Sequence, residues 1–170
     1  LSVPIVDQIR LANRLGFLLR WTGRRDEADA YAERALRTAR DADDLVALGG
    51  ASVAWRPDST AVSADLRAPS MLDDVLRRLP RREAVLRSRL LSARSNALVF
   101  TDLGAAATDA EQAIETARAS DDPEAFIDAA YAKRLALWHP SRQSDALDLA
   151  AEMIAASPRA VDLVEFGCTT

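Results

Sequence analysis

Cysteine is almost missing from this chain, since Cys168 is the only one among 170 residues. No internal disulfide can form, so the fold depends on a hydrophobic core, and a lone thiol near the chain end is typical of a reducing compartment. The longest strongly apolar run covers 15–19, far short of the roughly 20 residues of a membrane span. No signal-peptide pattern opens the chain. We therefore expect a cytoplasmic protein without membrane contact.

Lysine and histidine are equally scarce, with Lys133 and His139 the only representatives. One histidine and one distant cysteine supply too few ligands for a metal, and a general base needs an oriented partner. We expect no enzyme activity, no metal and no cofactor. The net charge of -4 disfavours attraction to phosphates, so no direct nucleic-acid contact is expected from this segment.

Strand signals are lacking as well, because no segment alternates Val, Ile or Thr with polar residues. Ala, Leu, Arg and Glu dominate, and apolar residues recur every three or four positions, which predicts an all-α chain. Because it opens on Leu1 and runs directly into an amphipathic helix, we expect a segment of a longer polypeptide. The pattern predicts about eight helices, over 6–22, 26–40, 44–55, 71–79, 82–103, 108–120, 123–138 and 144–156. The expected buried stripe of the first helix consists of Ile9, Leu11, Ala12, Leu15, Leu18 and Leu19.

An internal repeat is the most informative positive feature. Segments 32–44 and 110–122 are identical at eight of thirteen positions, and both end on paired aspartates. The repeat predicts a duplication over approximately 5–79 and 82–157 within one helical-repeat domain spanning 1–170. The aspartate pairs at 43–44, 73–74 and 121–122 are interpreted as helix caps rather than as a cation site.

The segment 15–36 resembles the tetratricopeptide repeat, and the second half of the chain keeps part of that pattern. The resemblance implies a right-handed α-solenoid of antiparallel helical hairpins. The close crossings in such hairpins need small residues, since a large side chain would force the helices apart. The matching structural positions are Leu15, Gly16, Gly23, Ala28 and Ala35, with Gly104 and Ala113 in the second half.

The wider pattern is similar to the helical-repeat region of large ATP-binding transcriptional regulators of the LuxR type. It consists of a Leu-rich helix, Pro80, a long Arg-rich helix and the segment 132–140, Ala-Lys-Arg-Leu-Ala-Leu-Trp-His-Pro. The resemblance places this chain between a nucleotide-binding domain and a DNA-binding helix-turn-helix. The sequence itself contains neither a phosphate loop nor a convincing recognition helix.

In a tetratricopeptide superhelix the first helix of each hairpin lines a concave groove. Arginine and aromatic side chains in such a groove suit an acidic or carboxylate-bearing peptide, or a planar small molecule. The alternative is that the aromatic residues pack in the core and the arginines are solvated, which is the commoner situation. The matching positions are Arg10, Asn13, Phe17 and Arg20 in the first helix and Tyr131, Arg134 and Trp138 in the seventh. In the fifth helix they are Leu91, Arg94 and Leu98, with Gly104 as the reference position for the alignment.

The sequence thus predicts a non-catalytic sensor or protein-interaction domain of a larger transcriptional regulator. Its partner is a protein or peptide, including other domains of the same polypeptide, or a small-molecule effector. Rival hypotheses are a small-molecule-binding module with an apolar pocket between repeats, a helical-bundle enzyme, and a repeat that forms a homodimer through exposed apolar ends. The arginine cluster within 77–89 fits a solvated face or an interdomain contact better than DNA binding.

Overall fold

The computed structural model describes residues 3–55, 67–137 and 142–156, and these ranges contain eight helices and no strand. The all-α prediction is confirmed. The helices are α1 (Ile5–Trp21), α2 (Arg25–Asp41), α3 (Leu45–Ala54), α4 (Arg67–Arg78), α5 (Ala84–Leu98), α6 (Leu103–Ser120), α7 (Pro123–Ala136) and α8 (Gln143–Ala156).

The chain divides into two compact units, Leu1–Pro80 with α1 to α4 and Arg81–Thr170 with α5 to α8. The boundary lies between the two halves that the repeat predicts. Three helix starts recur at corresponding places: α1 begins at 5 and α5 at 84, α2 at 25 and α6 at 103, and α3 at 45 and α7 at 123. The interval between the two members of each pair is constant to within one position, so corresponding residues of the two units can be compared directly.

The turns before α3 and α7 have the same backbone geometry. Asp43 and Asp121 adopt left-handed φ values of 51° and 50°, a conformation that Asp tolerates better than most residues. The next residue caps the following helix: Asp44 accepts a bond from the Ala47 amide at 2.9 Å, and Asp122 accepts one from the Ala125 amide at 2.8 Å. These two aspartate pairs act at helix starts, as the sequence indicated.

The third aspartate pair is not a cap, and that prediction is wrong. Asp73 and Asp74 lie inside α4, which begins at Arg67 rather than at the expected residue 71, and both carboxylates pair with Arg77. Pro69 is compatible with this start, because it falls in the first turn, where the missing amide hydrogen costs no intrahelical bond. The opposite face of α4 buries Leu72, Val75 and Leu76, and Leu79 directly after the helix is buried as well, as predicted.

The predicted boundary between the fifth and sixth helices is also wrong. α5 ends at Leu98 instead of residue 103, and α6 begins at Leu103 instead of residue 108. Asp102 sets this boundary because its side chain accepts a bond from the Ala105 amide at 2.9 Å, and that N-cap favours an early start of α6. Gly104 therefore lies in the first turn of α6 and does not close α5. Gly23, in contrast, ends α1 with a φ of 81°, as expected of a turn glycine.

Small residues mark close helix crossings in both units. The Ser95 hydroxyl donates to the Ala106 carbonyl and the Ser88 hydroxyl donates to the Ala113 carbonyl, each at 2.8 Å. Side chains this short reach a neighbouring backbone only where two helices approach closely. Gly16, which occupies in α1 the place that Ser95 has in α5, lies near the Ala28 carbonyl, 3.7 Å from the position a Cβ would take. Ala28, Ala35 and Ala113 are buried.

We expect Gly16→Ala to raise the free energy of unfolding by about 0.5–1 kcal/mol, because alanine has the higher helix propensity. The added methyl group makes only an ordinary contact with the Ala28 carbonyl. Gly23→Ala is the control and should lower the free energy of unfolding by about 1–2 kcal/mol, since it places a side chain at positive φ. Urea unfolding followed by circular dichroism measures both. A destabilised Gly16→Ala protein would show that the crossing is tighter than the structure has it.

The buried side of α1 is narrower than predicted. Ile9 and Leu19 are buried, and α1 packs on α2 and α3. Leu11 and Leu18 are 62% and 58% exposed, and Leu15 is also exposed, so the expected stripe is wrong at these three positions. The reason is that apolar residues are spread around this helix, and only one side of it meets the neighbouring helices. The core of the unit is a cluster of Ile9, Ala35, Leu36, Ala39, Ala47 and Ala51.

Candidate interaction site

Four of the predicted groove residues lie along one side of α1, at spacings of three, four and three residues. Arg10 is exposed, and its guanidinium forms a single contact of 3.3 Å with Asp7 in the preceding turn. Solvent-exposed pairs of this kind are weak, so Arg10 can exchange Asp7 for another carboxylate at little cost. The predicted residues on this helix are Arg10, Asn13, Phe17 and Arg20.

Phe17 does not pack in the core. Its ring lies 6.3 Å from the ring of Trp21 with an interplanar angle of 21°, and both side chains are exposed, Trp21 to 63%. Stacked aromatic rings four residues apart share one side of a helix. Trp21 was not among the predicted residues, although its spacing from Phe17 is a visible signal.

Asn13 lies at the edge of the same surface and has one unused hydrogen-bonding group. Its amide Nδ2 donates to the Gly50 carbonyl of α3 at 2.9 Å. The other end of the amide, Oδ1, is buried and has no hydrogen-bond partner in the part of the chain that the structure describes. A buried acceptor without a partner is uncommon in folded proteins. We call Arg10, Asn13, Phe17 and Trp21 the interaction stripe.

Arg20 is engaged within the fold. Its guanidinium pairs with Asp29 of α2, and about three quarters of its side chain is buried, with 24% exposed. At the α1–α2 turn, Arg24 forms two hydrogen bonds of 2.6 Å with Glu27. These bonds lower the pKa of Glu27 below its ordinary value. Arg20 therefore contributes to the α1–α2 contact and does not extend the interaction stripe.

The predicted groove residues of α5 are engaged in packing. Arg94 forms a two-pronged ion pair with Asp109 of α6, with both nitrogen–oxygen distances 2.7 Å. Asp109 is only 4% exposed. Leu91 is buried and Leu98 is half-buried. The prediction assigned Leu91, Arg94 and Leu98 to a groove by taking Gly104 as the end of their helix. Gly104 lies in α6 instead.

On α7, the Arg134 guanidinium lies over the Tyr131 ring, 5.3 Å from its centre, and both residues are half-buried. A cation stacked on an aromatic face is held in place by the ring's charge distribution. Trp138, the third predicted residue of this helix, lies outside the described residues. α5 and α7 belong to one compact unit and α1 to the other.

Three of the six arginines within 77–89 pair with acidic side chains. Arg77 pairs with two aspartates of its own helix, and Arg89 contacts Asp128 of α7 at 2.9 Å. Arg82 lies 3.3 Å from Glu83. Such pairing lowers the local positive charge that phosphate binding needs.

Over the described ranges 3–55, 67–137 and 142–156, no three His, Cys, Asp or Glu side chains are grouped as metal ligands would be. Within the same ranges no helix has the length and apolar character needed to cross a bilayer. Fold and site together define an all-α protein with exposed aromatic and arginine side chains along one side of α1. None of the protein-family models, curated proteins or solved structures compared with the chain matches it.

Proposed function

We propose that this chain is a non-catalytic protein-interaction or sensor domain of a larger, cytoplasmic transcriptional regulator, and that it binds an acidic peptide segment along α1. The observation that carries the proposal is the exposed Phe17–Trp21 stack, which lies on the same side of α1 as the exposed Arg10. Exposed aromatic side chains next to arginine are enriched where proteins bind partners.

The architecture we propose is a right-handed, tetratricopeptide-like α-solenoid of antiparallel hairpins. The regular spacing of helix starts supports it. So does the order of the serine contacts, because Ser88 bonds to Ala113 whereas Ser95, later in α5, bonds to Ala106, earlier in α6. Contacts that run in opposite order along two helices are those of an antiparallel pair.

The exposed members of the interaction stripe suit different parts of an acidic peptide. The stacked rings of Phe17 and Trp21 offer an apolar platform for a ligand side chain. Arg10 binds a carboxylate through a charge-assisted hydrogen bond. Asn13 Oδ1 is buried and its Nδ2 donates to the Gly50 carbonyl, so Asn13 holds α1 against α3 and does not contact the ligand. Binding shifts the population of conformations in the parent regulator, provided that the ligand favours one of them.

Peptide binding is tested by fluorescence polarisation with short, fluorescein-labelled peptides rich in Asp and Glu and ending in a free carboxylate. We expect the double variant Phe17→Ala, Trp21→Ala to weaken binding by about tenfold or more, the loss typical of a central aromatic contact. Arg10→Ala should weaken binding of the acidic peptides and leave an amidated, Gln-substituted set unchanged.

Phe100→Ala is the matched control, because Phe100 is an exposed aromatic residue outside the stripe. An equal loss in this variant, or no binding of any acidic peptide to the unaltered protein, contradicts the proposal. The proposal that the chain belongs to a larger regulator is tested separately, by reading the coding sequence that surrounds residues 1–170. The resemblance implies a phosphate loop on one side and a helix-turn-helix on the other.

A further inference from the structure

Arg40, in the last turn of α2, donates a hydrogen bond to a sulfur atom. Its Nη2 lies 3.5 Å from Sδ of Met71 in α4, and the contact is exposed to solvent. A thioether sulfur is a weak hydrogen-bond acceptor. The contact therefore joins a strong, charged donor to a poor acceptor.

The second unit shows a different acceptor for the corresponding arginine. Arg40 and Arg118 occupy the same place in the two repeated segments. The Arg118 Nη2 donates to Oε2 of Glu152 in α8 at 2.6 Å, and α8 is the fourth helix of its unit, as α4 is of the first. In both units the repeated arginine links the second helix to the fourth. Met71 thus supplies a sulfur where the second unit supplies a carboxylate oxygen.

Met71 lies between the core of the first unit and solvent. Its side chain is half-buried and packs against the core cluster, while its Sδ takes part in the exposed contact with Arg40. The other methionine of the chain, Met153, is only 7% exposed. An oxidant must reach the sulfur in order to react with it, so the two methionines differ in their susceptibility to oxidation.

We propose that Met71 is a site of reversible oxidation, at which hydrogen peroxide converts the thioether to a sulfoxide and Arg40 binds the sulfoxide oxygen. The Sδ lone pair attacks one peroxide oxygen, the O–O bond breaks and an S–O bond forms. The departing hydroxide takes the proton of the transferred hydroxyl group and leaves as water. Sulfur loses two electrons and the peroxide gains them. Methionine sulfoxide reductases reverse the change.

A sulfoxide oxygen is a stronger acceptor than a thioether sulfur, so oxidation gives Arg40 the kind of partner that Arg118 has. Hydrogen bonds with a charged donor are stronger than those between neutral groups. Without such a donor, a sulfoxide beside the core destabilises the fold, because a polar group replaces an apolar one. Arg40 therefore helps the first unit to tolerate the oxidised side chain. The inference does not depend on the proposed function, because neither residue belongs to the interaction stripe.

Peptide mass spectrometry after treatment of the folded chain with hydrogen peroxide tests the site itself. A Cys168→Ser background removes the competing thiol. We expect the sulfoxide of Met71 to accumulate at least about fivefold faster than that of Met153, because the buried Met153 reacts only when its surroundings open. In urea that unfolds the chain, the two rates should be equal. Equal rates in the folded protein overturn the proposal.

Thermal unfolding followed by circular dichroism, before and after peroxide treatment, tests the role of Arg40. The substitution Met153→Leu is added to every protein so that only Met71 reacts. Oxidation should lower the melting temperature of the Arg40→Ala protein by about 2–4 °C more than that of the protein with Arg40 intact, the shift expected for one hydrogen bond in a chain of this size.

Arg37→Ala is the matched control, because Arg37 is an exposed arginine one turn earlier in α2 that pairs with Glu33. Its melting temperature should respond to peroxide as that of the protein with both arginines does. Two results overturn the role of Arg40: an equal fall in the melting temperature with and without its side chain, or the same additional fall in the Arg37→Ala protein.

Discussion

Replacing Asp109 by alanine is expected to lower the free energy of unfolding by about 3 kcal/mol. Asp109 is 4% exposed and accepts two hydrogen bonds of 2.7 Å from Arg94. Removing one partner of a buried ion pair leaves the other charge without compensation, at a cost of about 3–5 kcal/mol. The low end applies because the Arg94 side chain keeps 21% exposure and can turn toward water. Urea unfolding followed by circular dichroism gives the difference.

Two further variants isolate the cause of that loss. Glu152→Ala breaks an exposed pair with Arg118 in the same unit, where both side chains are about half exposed, and should cost less than about 1 kcal/mol. The double variant Arg94→Met, Asp109→Leu removes both charges, and it should recover most of the stability, since an apolar pair of similar size replaces a buried ion pair at little cost. If the Asp109→Ala protein is as stable as the Glu152→Ala protein, the charge of Arg94 does not need Asp109 for its compensation.

The features that the sequence predicted well are those that neighbouring residues determine. The caps at Asp44 and Asp122 and the left-handed turn at Gly23 each depend on a few consecutive residues. Helical periodicity is similarly local, which is why the all-α class and most helix bounds were predicted within a few residues. The boundary between α5 and α6 failed because two local signals competed: Gly104 indicated a helix end, but the cap at Asp102 determined the start of α6.

The residues that the candidate site residues contact could not be predicted from the sequence. Arg94 and Asp109 are fifteen residues apart and on different helices, and Asn13 bonds to Gly50 from 37 residues away. Nothing in the local pattern distinguishes an arginine that pairs across helices from one that faces a ligand. The aromatic stack is a different case, because Phe17 and Trp21 are four residues apart on one helix, and their proximity was predictable even though their exposure was not.

The buried serines of α5 show a related limit. Ser88, Ser92 and Ser95 are all buried, and two of them donate to carbonyls of α6. A periodicity analysis counts serine as polar and places it toward water. At a close crossing, a small hydroxyl side chain satisfies its own hydrogen bond and keeps the helices close together. Gly16, the counterpart of Ser95 in α1, is small without being polar, and the repeat tolerates either choice.

Leu90→Ala should destabilise the protein by about 2–5 kcal/mol, whereas Leu11→Ala should change its stability by less than about 0.5 kcal/mol. The two leucines correspond in the repeat, and a sequence pattern treats them alike. Their exposure differs completely, because Leu90 is 0% exposed and Leu11 is 62% exposed. The cost of truncating a leucine depends on the cavity left behind, and an exposed leucine leaves none. Urea unfolding followed by circular dichroism compares the two variants. Equal losses of stability would mean that the Leu11 side chain is buried in solution.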